Sequence, residues 1–118
     1  MLQLVLFSKE ENFQTLVFSE EKNIVKVDSM YRMLECDYVD VVRLSDKNNI
    51  DLWVDDEGLL KSGNYVHEIS VGDTEVKLAG RVLFLSYDDE GNSIGLSDEQ
   101  LKWLESSGLT AQLIGYTH

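Results

Sequence analysis

Proline is absent from the 118 residues of this chain, and cysteine occurs once, at Cys36. A lone cysteine cannot close an internal disulfide, which argues against a small secreted scaffold and is typical of a protein from a reducing compartment. No stretch is enriched in proline, glycine and serine, so the sequence offers no interdomain linker. We therefore expect a single domain over residues 1–118, close to the commonest domain size.

Positive charge is also scarce, because 10 Lys and Arg stand against 22 Asp and Glu, a formal net charge of −12. Such a surface repels nucleic-acid phosphates and anionic lipid headgroups and attracts basic protein surfaces, so direct nucleic-acid binding is disfavoured. The apolar stretch at residues 1–7 is too short for a secretory leader or a membrane span. We expect no membrane contact and a cytoplasmic location.

Motifs of catalysis and of metal or phosphate binding are missing. The sequence contains no Gly-x-Ser-x-Gly, His-Glu-x-x-His or Cys-x-x-Cys pattern and no phosphate-binding glycine loop. Cys36 has only His67 and His118 as candidate bases. A calcium loop counted from Asp88 fails at its sixth position, where glycine is required and Ser93 stands. We expect a protein that is not an enzyme, with no metal and no cofactor.

Apolar alternation and short apolar runs predict mostly strands. Two hairpins and one central strand are indicated, at Leu2–Phe7 with Phe13–Phe18, at Val39–Leu44 with Ile50–Val54, and at Arg81–Tyr87. Shorter strands are expected at Glu75–Leu78, leading into the central strand, and at Ala111–Tyr116, on a sheet edge.

Two segments have helical periodicity instead. An apolar stripe at helical spacing predicts a helix over about residues 28–36, capped by Asp28 or Ser29. Ser97 and Gln100 have the spacing of a capping box, which predicts a helix over residues 98–107. The expected fold is α+β, a mainly antiparallel sheet with these two short helices.

The tetrapeptide Asp-Asp-Glu-Gly occurs twice, at residues 55–58 and 88–91, each time after an apolar run. We interpret both as strand-to-strand turns in which the glycine supplies a positive φ. The acids of these turns and of the second helix are the candidate acidic surface, with Trp103 as a candidate partner contact. The acidic candidates are Asp55, Asp56, Glu57, Asp88, Asp89, Glu90, Asp98 and Glu99.

One family resemblance covers roughly residues 24 to 105. It rests on the segment Ile50–Leu60, on Asn64, on Ala79–Phe84, and on Gly91 followed by Ile94–Glu99. The chain here resembles an uncharacterised family of small proteins of unknown function from bacteriophages and mobile elements. The chain departs from that family in lacking glycines after the first helix and a proline near Asn64. The resemblance implies a bacterial host and no catalytic residues.

Together these observations favour a non-catalytic protein-binding module. We expect it to act as a counter-defence or regulatory factor whose acidic surface binds a host or element-encoded protein with a basic surface. Two alternatives stay open: a small-molecule or nucleotide-binding domain with a pocket near Asn64 and Gly80, and a structural or assembly component. Homo-oligomerisation is left open as well.

Overall fold

Strands dominate the fold in the computed structural model, which describes residues 2–19 and 23–118. The described chain forms an α+β domain of mostly antiparallel sheet with two helices, which confirms the predicted class. The strands are β1 (Leu2–Ser8), β2 (Asn12–Phe18), β3 (Val39–Ser45), β4 (Ile50–Asp55), β5 (Tyr65–Val71), β6 (Thr74–Ala79), β7 (Val82–Tyr87), β8 (Ser93–Ile94) and β9 (Thr110–Tyr116). The helices are α1 (Val27–Leu34) and α2 (Asp98–Ser106). Neither is long and apolar enough to cross a membrane.

The strands form two antiparallel sheets. The larger has the order β2-β1-β7-β4-β3, with β8 paired to β7, and the smaller has the order β6-β5-β9. Both predicted hairpins and the central place of β7 are confirmed. The predicted strand at Glu75–Leu78 is confirmed as β6, which directly precedes β7 in the chain, although β6 pairs with β5 in the smaller sheet and not with β7. The tail strand β9 lies at an edge, as predicted.

The core has two layers because the larger sheet is covered on both faces. Val82 and Phe84 of β7 point toward the smaller sheet and pack in a cluster with Ile69 of β5. Leu83 and Leu85 point the other way and pack under α1. A strand buried on both faces needs apolar residues at successive positions, which explains the continuous apolar run of β7.

Strand β5 is absent from the sequence-based prediction. Its inward positions are His67, Ile69 and Val71, all of them buried. Because a histidine occupies the first of these core positions, the apolar alternation is shortened to two residues. The strand is recognisable only from its pairing with β6 and β9.

The two helices differ in how they begin. Helix α1 has Lys26 at its N-cap and no side-chain cap, so the expected caps Asp28 and Ser29 are wrong; both lie inside the first turn. Helix α2 begins with the predicted capping box, in which Gln100 N–H donates to Ser97 Oγ (3.1 Å) and Ser97 N–H donates to Gln100 Oε1 (2.8 Å). It is followed by Gly108 at a positive φ of 73°, which relieves the strain that a Cβ would cause there.

Candidate functional site

The acidic candidates separate into two groups because β4 and β7 are antiparallel. Their register joins Ile50 to Ser86 and Val54 to Val82. The first turn follows β4 and the second follows β7, so the two turns lie at opposite ends of the sheet, roughly 20 Å apart at about 3.3 Å per residue. The β4-end group is Asp55, Asp56 and Glu57; the β7-end group is Asp88, Asp89, Glu90, Asp98 and Glu99.

Helix α2 brings its acids to the β7 end through Gln100. The side-chain amide of Gln100 donates to Asn48 O (2.7 Å) and to Ser86 Oγ (3.0 Å), where β4 begins and β7 ends. Asp98 in turn accepts from Gln3 Nε2 at 2.8 Å. The eight acidic candidates therefore do not form one surface patch.

The first aspartate of each turn binds its own backbone. Asp55 Oδ1 accepts from Glu57 N–H (2.9 Å), and Asp88 Oδ1 accepts from the N–H groups of Glu90 (3.0 Å) and Asn92 (2.8 Å). The side-chain amide of Asn92 donates to Asp88 Oδ2 (3.0 Å) and is the main cause that holds the pKa of Asp88 below its ordinary value, and the backbone hydrogen bonds add to it. The Asp55 side chain is only 7% exposed and forms an ion pair with Lys61. Both carboxylates therefore build the turns, and the acids that follow them carry the surface charge.

The two glycines have different roles, so the repeated tetrapeptide is not a repeated hairpin. Gly91 has a φ of 84° and closes the β7–β8 hairpin, as predicted. Gly58 has no positive φ, and the prediction is wrong there. A Cβ on Gly58 would lie 3.0 Å from the carbonyl oxygen of Ala79, so close backbone packing is what requires glycine.

The β4–β5 loop, residues 56–64, is tied to two other segments of the chain. Asp56 N–H donates to the carbonyl of Tyr38 (2.9 Å), which ties the loop to the start of β3. Asn64 N–H donates to Thr117 Oγ1 (2.8 Å), and Thr117 N–H donates to Asn64 O (2.8 Å), which ties it to the segment after β9. The loop therefore has a defined conformation although it joins two different sheets.

Two consecutive leucines project from this ordered loop. Leu59 is 70% exposed and Leu60 is 80% exposed, the two highest values among the large exposed apolar side chains. Their backbone is fixed by bonds from Gly58 N–H to Asp55 O (3.0 Å) and from Leu60 N–H to Glu57 O (3.0 Å). Adjacent exposed apolar side chains mark interaction surfaces more often than single ones do. The sequence did not reveal this feature, because a Leu-Leu pair is more often typical of core, even between polar neighbours such as Glu57 and Lys61.

A recess of about 240 Å³ lies beside the loop, lined among others by Lys9, Asn64 and Gly80. The amide of Asn64 is already used there, since Nδ2 donates to Gly58 O (3.0 Å) and Oδ1 accepts from Tyr65 N–H (3.0 Å). Because both ends of its amide are used in these hydrogen bonds, Asn64 has a structural role. Lys9 Nζ lies 3.9 Å from the centre of the Tyr65 ring.

The remaining cations of the recess are paired. Lys61 binds Asp55, and Arg81 Nη2 lies 2.6 Å from Glu35 Oε1. With these two charges compensated, Lys9 is the cation of the recess that forms no ion pair with another described residue, and it is the group available to an anion.

Comparison with known proteins gives one match. A family model described as Domain of unknown function (DUF3846) covers residues 7–108. The chain belongs to the DUF3846 family. No curated protein and no solved structure matches it.

The DUF3846 match includes the β4–β5 loop and both acidic groups, and it extends beyond the residues 24–105 of the resemblance. Strand β9 lies outside the matched range.

The other sequence candidates occupy core or half-buried positions in this DUF3846 domain. Cys36 packs half-buried on the α1 face of the larger sheet, and burial is the main cause that raises its pKa. His67 lies on the opposite face, with its ring centre 4.8 Å from that of Phe7, so the sheet separates it from Cys36. Trp103 is half-buried against the core between the sheets. Among the described residues, no three His, Cys, Asp or Glu side chains are grouped to hold a metal ion.

Proposed function

We propose that this DUF3846 domain is a non-catalytic protein-binding module that contacts its partner through the β4–β5 loop. The observation that carries the proposal is the outward presentation of Leu59 and Leu60 on a loop with fixed backbone. A pre-ordered loop loses little conformational entropy on binding. Burying a leucine side chain in a partner pocket contributes about 1.5–3 kcal/mol.

The charge beside the leucines favours a basic partner. Asp56 is exposed and Glu57 half-exposed, and both precede the leucines on the same loop. Carboxylates around an apolar contact steer a basic surface toward it and raise the association rate, an effect that salt screens. The proposed partner therefore presents an apolar pocket with a basic rim.

The biological half of the proposal rests on the resemblance to bacteriophage and mobile-element proteins. The partner would be a host or element-encoded protein in the bacterial cytoplasm, and binding it would serve counter-defence or regulation. A stoichiometric inhibitor or regulator of this kind needs a contact surface and no catalytic group.

The experiment is a capture from bacterial lysate with three baits at low and high salt, read by mass spectrometry. The baits are the wild-type chain, Asp56→Asn/Glu57→Gln, and the matched control Asp89→Asn/Glu90→Gln at the opposite end. Both variants have the same formal net charge, −12 + 2 = −10. A protein retained by the wild type and the control, released by salt and weakened at the first variant, supports the proposal. Equal weakening by both variants would show that only overall charge matters.

A second candidate function, small-molecule or nucleotide binding, is favoured by the recess beside Asn64 and Gly80. A ligand that binds only the folded state raises its melting temperature. A thermal-shift screen with nucleotides tests this, and a shift that disappears in the Lys9→Ala variant would locate the ligand in the recess. The absence of any shift would count against this candidate.

A further inference from the structure

Among the described strands, β2 is an unpaired edge of the larger sheet. It lies outermost in the order and pairs with β1 without a register shift, from Leu2 opposite Phe18 to Ser8 opposite Asn12. Its seven residues, Asn-Phe-Gln-Thr-Leu-Val-Phe, include no charge, no proline and no glycine. Alternate residues of such a strand direct their N–H and C=O groups away from the sheet, where another strand can bind them.

The other three edges carry the features that discourage strand addition. Strand β3 contains Asp40 and Arg43 and has a register shift. Strand β6 contains Glu75 and Lys77, and the pairing of β9 with β5 is broken by a register shift. Among the described strands, β2 is therefore the edge most open to another strand.

A groove of about 390 Å³ lies beside β2, between its end and α1. Its floor is apolar and includes the buried side chains of Leu4 and Val25. Phe18 and Ile24 line it as well and are themselves partly exposed. Leu16 and Phe18 of β2 point to this face, because they lie opposite Leu4 and Leu2, which pack under α1.

The described residues of the groove carry a charge opposite to that of the whole chain. Those that line it include Lys26 and Arg32 and no acidic residue, although 22 of the 118 residues are Asp or Glu. Neither cation forms an ion pair with another described residue; Arg32 Nη2 donates to Ser29 Oγ at 3.2 Å. An apolar floor beside two cations is complementary to a segment that carries both apolar and acidic side chains.

From these two observations we infer that β2 and its groove bind an extended peptide segment of a partner by strand addition. The segment pairs its backbone with β2, and every second side chain of the segment points to the face of the sheet that α1 covers. On that face, apolar side chains of the segment enter the groove and an acidic one meets Lys26 and Arg32. This surface is distinct from the β4–β5 loop, and the inference stands whether or not that loop binds a basic partner.

The test is a selection of random peptides of about ten residues, the upper length of a common strand, on the full chain. Selected peptides should alternate apolar residues and contain Asp or Glu. The Lys26→Glu/Arg32→Glu variant, changed only at two exposed positions, the N-cap and the last turn of α1, should bind them at least about tenfold more weakly. The Leu59→Ala/Leu60→Ala variant should bind them as the wild type does. Hydrogen exchange should slow at the amides of residues 12–18 when a selected peptide is bound.

Other results would overturn the inference. Selection of no peptide above background would do so, as would peptides whose binding is unaffected by the charge reversal. Sedimentation that shows a dimer of the free chain, with residues 12–18 protected from exchange, would identify a second copy of the chain as the occupant instead.

Discussion

Asn64 has a structural role in holding the β4–β5 loop, and its replacement by alanine measures that role. The change removes two half-buried hydrogen bonds, from Nδ2 to Gly58 O (3.0 Å) and from Tyr65 N–H to Oδ1 (3.0 Å). A hydrogen bond of this kind contributes about 0.5–1.5 kcal/mol net, so the variant should lose about 1–3 kcal/mol of unfolding free energy.

The unfolding entropy of a protein of 118 residues converts 1 kcal/mol into about 4 °C of melting temperature. Thermal unfolding followed by circular dichroism should therefore show Asn64→Ala melting about 4–12 °C below the wild type. Gln112→Ala, at an exposed position of β9, is the control and should change little. A decrease below about 2 °C would refute the reasoning and return Asn64 to the list of candidate ligand contacts.

Three further predictions concern the scaffold. Burial lowers the pKa of His67 below 6.5, so the unfolded chain binds the proton more readily than the folded chain does. Stability that is present at pH 7.5 is therefore lost as the pH falls through 6.5, by up to about 1.4 kcal/mol per pH unit. Denaturant titrations at pH 7.5 and 5.5 should show a smaller loss of stability in His67→Leu than in the wild type, and an equal loss would contradict this prediction. Gly95→Ala would place a Cβ 2.8 Å from the carbonyl oxygen of Gln3 and should lower the free energy of unfolding by about 2 kcal/mol or more. Gly115→Ala is the control, because nothing lies within 4 Å of a Cβ there. Equal melting temperatures of the two variants would count against the prediction. Ser97→Ala removes the capping box of α2 and should cost about 1 kcal/mol, and an unchanged melting temperature would show that the cap contributes nothing.

Local patterns predicted the local structure well. Alternation identified the hairpins β1–β2 and β3–β4, and the spacing of Ser97 and Gln100 identified α2, because each signal lies within one short segment. Strand β5 was missed because His67 occupies an inward position and interrupts the apolar alternation. The assignment of β6 to a second sheet depends on pairing between strands, for which its own sequence carries no signal.

The site was less predictable because it depends on the arrangement of distant segments. The antiparallel pairing of β4 with β7 places the two identical tetrapeptides at opposite ends of the sheet. A local sequence pattern does not indicate at which end of the sheet each strand finishes. The same limit applies to Leu59 and Leu60, whose sequence is that of core residues. Their exposure follows from the path of the loop between the two sheets, which is fixed by contacts to Tyr38 and Thr117.

The central claim, that the β4–β5 loop is a partner-binding surface, is tested most directly by the affinity of Leu59→Ala/Leu60→Ala for the captured partner. Because both side chains are exposed in the free chain, the melting temperature should stay unchanged. The loss of their burial in the complex should weaken binding by about 3 kcal/mol, on the order of a hundredfold. A variant that binds as tightly as the wild type, while Asp89→Asn/Glu90→Gln binds more weakly, would contradict the claim and place the contact at the β7 end.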